Sequence, residues 1–330
     1  MVKIVAASFV ILSHSCEKIL QMANGSIHWT VGNFVTEFTS IDVPLFFMVS
    51  GALILNSRKT ADLKYVMKHR MIRLILPFLV WSVLSVIFIQ LLSNYFNGRD
   101  VLKSVIYLYN QPVLVSYWFM YALISFYLLS PILKPIVDHI NDETMYYLIG
   151  LWFVTNIVFN SLAVALPAQI GRIFAAYSFG DLTFLVGNIG YFFVGYVLFK
   201  KDIKIKHLYT TFGFAMALML LSNYVSNLQQ LGSWQYLAFL APILKPIVAA
   251  LAFLVFKSLD DFLQTKNTKW LRVIEPVTFG TYLTHGIIMK FLSNYIDPIH
   301  FFITFILTTL IAFVLVYLIR KIPVVGEKIT

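Results

Sequence analysis

Ten apolar runs, each near the roughly 20 residues a helix needs to cross the hydrocarbon core of a bilayer, leave this chain few folds. They lie near 3–22, 41–56, 71–93, 117–137, 144–163, 182–199, 208–225, 235–256, 275–295 and 299–319. Without water to satisfy backbone N–H and C=O groups, such runs must close their own hydrogen bonds as helices. The runs at 41–56 and 182–199 are short and contain glycine, which predicts tilted or buried helices. The expected fold is all-α, a polytopic membrane protein of about ten transmembrane helices forming one domain over residues 1–330. Composition agrees: 59% of residues are hydrophobic and 12% charged, about half the charged share of a soluble domain.

The distribution of cations orients these helices. Nineteen of the 25 Lys and Arg residues fall at the N-terminus or in the connections after even-numbered runs. The six exceptions are Lys18, Arg99, Lys103, Arg172, Lys245 and Lys290. Positive loops stay inside, so both termini are expected in the cytoplasm. The net charge of +10 is thereby accounted for without nucleic acid as a partner. A single cysteine, Cys16, excludes an internal disulfide and gives no basis for a thiolate metal site; no metal is expected. The first run lacks a basic leader followed by a small-residue cleavage site, so it is expected to remain as a helix. Pro-Ile-Leu-Lys-Pro-Ile-Val occurs at 131–137 and again at 242–248. The copies sit at different depths with unlike flanks, and we read the repeat as chance in an apolar alphabet.

Polar residues inside apolar runs are costly and mark function by default. The first run carries His14, with Lys3 where the helix begins. Eleven residues at about 100° each make three turns plus roughly 20°, so the two share a face, which Val10, Glu17 and Gln21 extend. At about 1.5 Å per residue His14 is expected roughly 16 Å into the membrane, near its middle. His285 in the ninth run, within Phe279-Gly-Thr-Tyr282-Leu-Thr-His285, is expected at a similar depth. One buried histidine is ordinarily a satisfied core residue; two at one depth favour function.

Other candidates lie at the ends of runs. Lys64-Tyr-Val-Met-Lys68-His-Arg70-Met-Ile-Arg73 enters the third run, and Arg70 and Arg73 share a side of a helix start, an anion site facing the cytoplasm. Positive-inside anchoring is the plainer reading of such a loop. Asp42 opens the second run, and Ser50-Gly51 lies within it. The Ser-Gly pair is expected to serve close helix packing rather than nucleophilic catalysis, since no base lies at a telling spacing. Trp118 and Tyr121 start the fourth run as an aromatic interface belt. Arg172 is the one cation between the fifth and sixth runs, and a plain loop charge is as good a reading of it as a glycan contact.

Taken in order, these pieces resemble the acyltransferase 3 family, bacterial multi-pass membrane proteins that O-acylate surface and exported glycans. The resemblance covers nearly the whole chain. It rests on Val10-Ile-Leu-Ser-His14, Asp42-Val-Pro-Leu-Phe-Phe-Met-Val-Ser-Gly51 and Arg70-x-x-Arg73-Leu-x-x-Pro77. It continues with Trp118-Phe-x-Tyr121, Tyr127-Leu-Leu-Ser-Pro131, Gly190-Tyr-Phe-Phe-Val-Gly195-Tyr and Thr278-Phe-Gly280-x-Tyr282-Leu-x-His285. In that family a basic residue, usually arginine, stands eleven positions before the helix-one histidine. Here it is Lys3, which keeps the charge and loses the bidentate fork.

The resemblance implies an acyl-CoA donor on the cytoplasmic side, acetyl-CoA by family default, and a sugar hydroxyl of a surface or lipid-linked glycan as acceptor. The location it implies is the bacterial inner (plasma) membrane. Arg70 and Arg73, with Lys68 and Lys3, are then expected to hold CoA phosphates. His14 is expected to act as general base, with Glu17 one turn on orienting its ring. His285 and Tyr282 are expected to orient substrate, and Trp118, Tyr121, Asp42 and Arg172 to contact it. A secondary transporter or polysaccharide exporter also has ten helices and intramembrane titratable groups, but no convincing inverted repeat is present. A non-catalytic scaffold leaves two buried histidines unexplained.

Overall fold

The computed structural model describes residues 1–22, 25–94, 96–166, 168–174, 187–227, 239–264 and 268–330, without the side chains of 168, 169, 172 and 264. Among the described residues every regular element is a helix. The chain opens with α1 (Val2–Ser15), α2 (Ile27–Thr39) and α3 (Asp42–Leu55). A short α4 (Leu63–Tyr65) leads through a π-helical turn, Val66–Met71, into α5 (Ile72–Leu92). Then come α6 (Gly98–Ile106), α7 (Trp118–His139), α8 (Asp142–Trp152), α9 (Phe159–Ala165) and α10 (Ala168–Phe174). The remainder is α11 (Ile189–Lys200), α12 (Leu208–Asn227), α13 (Leu240–Gln264), α14 (Lys269–Ile274), α15 (Thr278–Leu292), α16 (Phe301–Arg320) and α17 (Gly326–Ile329).

Seven of these helical stretches are long and apolar enough to cross a membrane: Ile27–Leu55, Leu63–Leu92, Val115–His139, Asp142–Ala165, Leu208–Asn227, Leu240–Leu263 and Pro298–Arg320. The runs at 3–22, 182–199 and 275–295 instead give α1, α11 and α15, of 14, 12 and 15 residues. The part of the sixth run at 182–186 lies outside the described residues. Packing explains the difference. α11 and α15 are buried along most of their length, through Tyr191, Phe192, Phe193 and Tyr196 in one and Thr281 to His285 in the other. A helix enclosed by other helices meets protein rather than lipid, so the bilayer does not set its length. The outer helices face the other way: α16 exposes Phe302, Ile303, Ile306, Leu310, Val314 and Leu318, an apolar surface suited to lipid.

The first run corrects the expectation of one continuous helix. α1 ends at Ser15, and a separate 3-10 turn covers Ile19–Gln21. The last carbonyls of α1 are taken up locally. Ser15 Oγ donates to the Leu12 carbonyl at 2.6 Å, and the Cys16 N–H bonds back to Ser13 at 3.0 Å, a tightened last turn of the kind that closes helices. The stretch before the second run is helical too. Ser26 caps α2 by accepting from the Trp29 N–H at 3.1 Å, a favoured N-cap arrangement. Only Ser40 and Ile41 interrupt the stretch from Ile27 to Leu55.

At the centre α3 lies on α11, and glycines set that approach. A Cβ on Gly51 would stand 1.8 Å from the Phe192 carbonyl oxygen, and one on Gly195 would stand 1.9 Å from that of Met48. Association between helices in lipid relies on close van der Waals contact rather than on water exclusion, so each helix gives up a side chain where the other passes. The packing role expected of Ser50-Gly51 thus falls on Gly51. A run of rings joins the neighbouring helices: Phe47–Phe119 at 4.8 Å, Phe47–Phe126 at 5.1 Å and Phe126–Phe192 at 5.4 Å between centroids. Such pairs contribute about 0.5–1.5 kcal/mol each beyond their burial. The repeated heptapeptides have unlike surroundings. Lys134 in the first is buried and paired with Asp138 at 2.5 Å, whereas Ala249 holds the corresponding place beyond Lys245.

Candidate functional site

α1 and α15 run side by side in the same direction, and three contacts show it. Near their starts Lys3 Nζ lies 3.9 Å from Glu275. Beyond their ends Lys18 Nζ donates to the Ser293 carbonyl at 3.1 Å. Between these, the rings of His14 and His285 stand 5.6 Å apart, tilted by 33°. Eleven residues separate Lys3 from His14 and ten separate Glu275 from His285, so parallel helices bring the histidines to one height. His14 lies in the last turn of α1 rather than midway along a long helix, which corrects its expected position within its helix, and His285 lies inside α15.

Local chemistry sets the two imidazoles apart. His14 Nδ1 is hydrogen-bonded to the Glu17 carboxylate across the end of α1. Since a carboxylate accepts, that nitrogen carries a proton, and in the neutral ring Nε2 is the one with a lone pair. Glu17 is roughly half exposed, and His14 about one fifth. His285 is fully buried; its Nδ1 donates to the Tyr282 carbonyl one turn earlier, and its Nε2 has no partner. Both histidines line a cavity of about 430 Å³ that Glu17, Lys18, Ser116 and Lys290 also border.

A second cavity, of about 400 Å³, opens at the end of the bundle that holds Lys3 and Glu275. Arg70 and Arg73 line it with Lys3, and its floor is aromatic. Arg70 leaves the π-helical turn and donates to Thr60 Oγ1 at 2.7 Å; Thr60 in turn donates to the Ile54 carbonyl at 2.5 Å. The guanidinium is thereby tied to the end of α3, while Arg73 remains exposed. Lys68 is exposed on the same turn and lies outside the cavity lining. The floor consists of Phe46, Phe119 and Tyr282, whose rings stand 5.3, 5.8 and 5.7 Å apart in pairs. Tyr282 belongs to the basic cavity and His285, one turn on, to the histidine cavity. A single turn of α15 is the wall they share.

The remaining candidates lie elsewhere. Asp42 is buried at the start of α3, where its carboxylate accepts from the Val43 N–H at 2.6 Å. Trp118 is partly exposed at the start of α7. Tyr121 donates its hydroxyl to the Leu108 carbonyl, and Phe78 stands 5.6 Å from its ring. None of the three lines either cavity. Arg172 falls in α10, but its side chain lies outside the described residues. Among the described residues no group of three or more His, Cys, Asp or Glu side chains is placed to hold a metal ion.

Sequence reasoning missed Glu275, Ser116 and the ring pair Phe46 and Phe119. Glu275 carried a signal, an acid at the mouth of the ninth run opposite Lys3 in the first. The rings carried none, because phenylalanine is abundant throughout the chain.

The arrangement sets a cavity lined by Lys3, Arg70 and Arg73 near a histidine and its carboxylate partner within an all-helical bundle whose outer helices are apolar. Comparison with curated proteins and with solved structures returns no match. The model of the acyltransferase 3 family, described as an acyltransferase domain, matches residues 1–320, and the chain belongs to that family as a membrane acyltransferase.

Proposed function

We propose that the protein moves an acyl group, acetyl by family default, from acyl-CoA to a sugar hydroxyl of a cell-surface or lipid-linked glycan. In this reading it sits in the bacterial inner membrane, its ten apolar runs all buried in or across the bilayer and both termini cytoplasmic. The basic cavity then faces the cytoplasm and receives the donor. Arg70, Arg73 and Lys3 hold CoA phosphates through charge-assisted hydrogen bonds, with Lys68 adding positive potential at the mouth. The thioester extends along the cavity toward Tyr282.

The acceptor enters the histidine cavity. His14 Nε2 takes the proton of the sugar hydroxyl as its oxygen attacks the thioester carbonyl carbon. The tetrahedral intermediate collapses with cleavage of the C–S bond, and the leaving CoA thiolate takes the proton from the His14 imidazolium, which regenerates the base. Glu17 fixes the ring through Nδ1 and stabilises the imidazolium, the part a carboxylate plays behind a catalytic histidine. His285 and Tyr282 orient the reacting partners. The observation that carries this reading is that Tyr282 borders one cavity and His285, one turn on along α15, borders the other, with Lys3, Arg70 and Arg73 in the first and His14 and Glu17 in the second.

Two measurements on the purified protein test it. Wild-type protein releases free CoA from acetyl-CoA only when a glycan acceptor is present, whereas a transporter would release none. Replacing both Arg70 and Arg73 with Ala weakens acetyl-CoA binding by at least 10-fold, in line with two charge-assisted contacts; unchanged donor binding would remove them from the site.

A further inference from the structure

Two buried polar atoms in the histidine cavity have no partner: His285 Nε2 and Ser116 Oγ. Their residues are 0% and 6% exposed. A buried polar group without a hydrogen bond costs free energy, and here two such groups belong to residues that border one cavity, the mark of a place for a ligand.

They are held there by a double lock. The Tyr282 hydroxyl donates to the Ser116 carbonyl at 2.5 Å, and the Tyr117 hydroxyl donates to the Leu283 carbonyl at 2.7 Å. Each of the two segments thus reaches across with a tyrosine to the other's backbone. Ser85 Oγ lies 3.1 Å from the Tyr117 hydroxyl and steadies it. The glycine after His285 completes the site: a Cβ on Gly286 would come within 3.2 Å of Ser116 Oγ, so its absence lets the serine stand against α15.

The chemistry of the pair selects its ligand. His285 donates through Nδ1 to a carbonyl, so in the neutral ring Nε2 only accepts. Ser116 Oγ donates as well as accepts. One hydroxyl group placed between them would satisfy both, giving its proton to the imidazole and receiving the serine's on its oxygen. A carboxylate or phosphate would set its lone pairs against that of Nε2. His14, the neighbouring imidazole, is backed by a carboxylate, whereas His285 is backed by a carbonyl.

We propose that His285 Nε2 and Ser116 Oγ form a subsite for a second, non-reacting hydroxyl of the acceptor, beside the hydroxyl held by His14. The inference rests on the acyl-transfer reading and narrows its acceptor to neutral sugars with neighbouring hydroxyls. His285 and Ser116 are positioning residues for that sugar, while His14 takes the proton.

Saturation-transfer NMR on the protein in nanodiscs, with methyl glucopyranoside and each of its monodeoxy analogues as probes, tests this without any acyl donor. At least one deoxy analogue binds wild-type protein about 10-fold more weakly than the parent, since a site built to bond a hydroxyl rejects the analogue lacking it. That difference vanishes in Ser116→Ala and in His285→Phe and persists in His14→Ala, which removes the base alone. Ser116→Ala keeps the backbone carbonyl that Tyr282 uses and leaves the fold intact if the larger substitution does not. A wild-type protein that binds no methyl glucopyranoside, or a difference that survives in Ser116→Ala, would overturn the proposal. Binding that follows this pattern without CoA release would instead sink the transfer reading and leave the subsite standing.

Discussion

His14 and Glu17 stand three residues apart at the end of a helix, bonded through Nδ1 and a carboxylate, and in the proposed mechanism they act as one unit. Glu17 lies just past the end of α1 at Ser15, and its carboxylate bonds the ring of His14 one turn back, the i,i+3 reach that neighbouring positions on a helix share. Glu17→Gln keeps the side chain's shape and loses the charge behind the imidazole. The general base as a whole is worth about 10²–10⁴-fold, and we expect Glu17→Gln to lower kcat by at least about 10-fold. The KM for acetyl-CoA should stay within twofold, because the proposed donor site is the other cavity; a KM that rises with unchanged kcat would place Glu17 in binding instead. His14 and Lys3 were legible in the sequence as one stripe of an apolar helix. Glu17 was legible on the same stripe; the end of α1 at Ser15 was not, because Ile19 and Leu20 prolong the apolar signal past the turn.

Among elements, the α3–α11 contact is the one on which the bundle depends most. Gly51→Ala and Gly195→Ala each place a methyl inside a backbone contact, an overpacking that costs about 1–3 kcal/mol. Thermal unfolding in detergent should show both variants melting below wild type. Gly150→Ala, where nothing lies within 4 Å, should melt no lower. The floor of the basic cavity makes a separate prediction. With the ring of Phe46 or Phe119 replaced by Ala, water reaches the thioester, and acetyl-CoA hydrolysis without acceptor rises several-fold over wild type. Equal rates would mean that the rings do not form the barrier. The apolar runs and their order could be read from the sequence, yet three of them gave helices too short to cross a membrane unaided. Hydrophobicity counts apolar residues; it does not say whether lipid or protein will cover them, and for α11 and α15 the cover is protein.

At the scale of the whole molecule, the parallel course of α1 and α15 is what turns scattered charges into two cavities. One holds Lys3, Arg70, Arg73 and Glu275 and the other His14, Glu17 and His285. The bias of cations toward alternate loops predicts the first cavity to be cytoplasmic. Cysteines placed at Lys204 and at Lys103, both exposed, in a Cys16→Ser background report on that. An impermeant thiol reagent applied to intact spheroplasts should label position 103 and leave 204 unlabelled until the membrane is opened; the reverse pattern would invert the molecule. The central claim is that His14 takes the proton of the acceptor hydroxyl. It is tested most directly by reconstituting wild-type and His14→Ala protein and following acceptor-dependent release of CoA from acetyl-CoA. The account predicts a folded variant that binds acetyl-CoA as wild type does and turns over about 10²–10⁴-fold more slowly; a variant that turns over at the wild-type rate would contradict it.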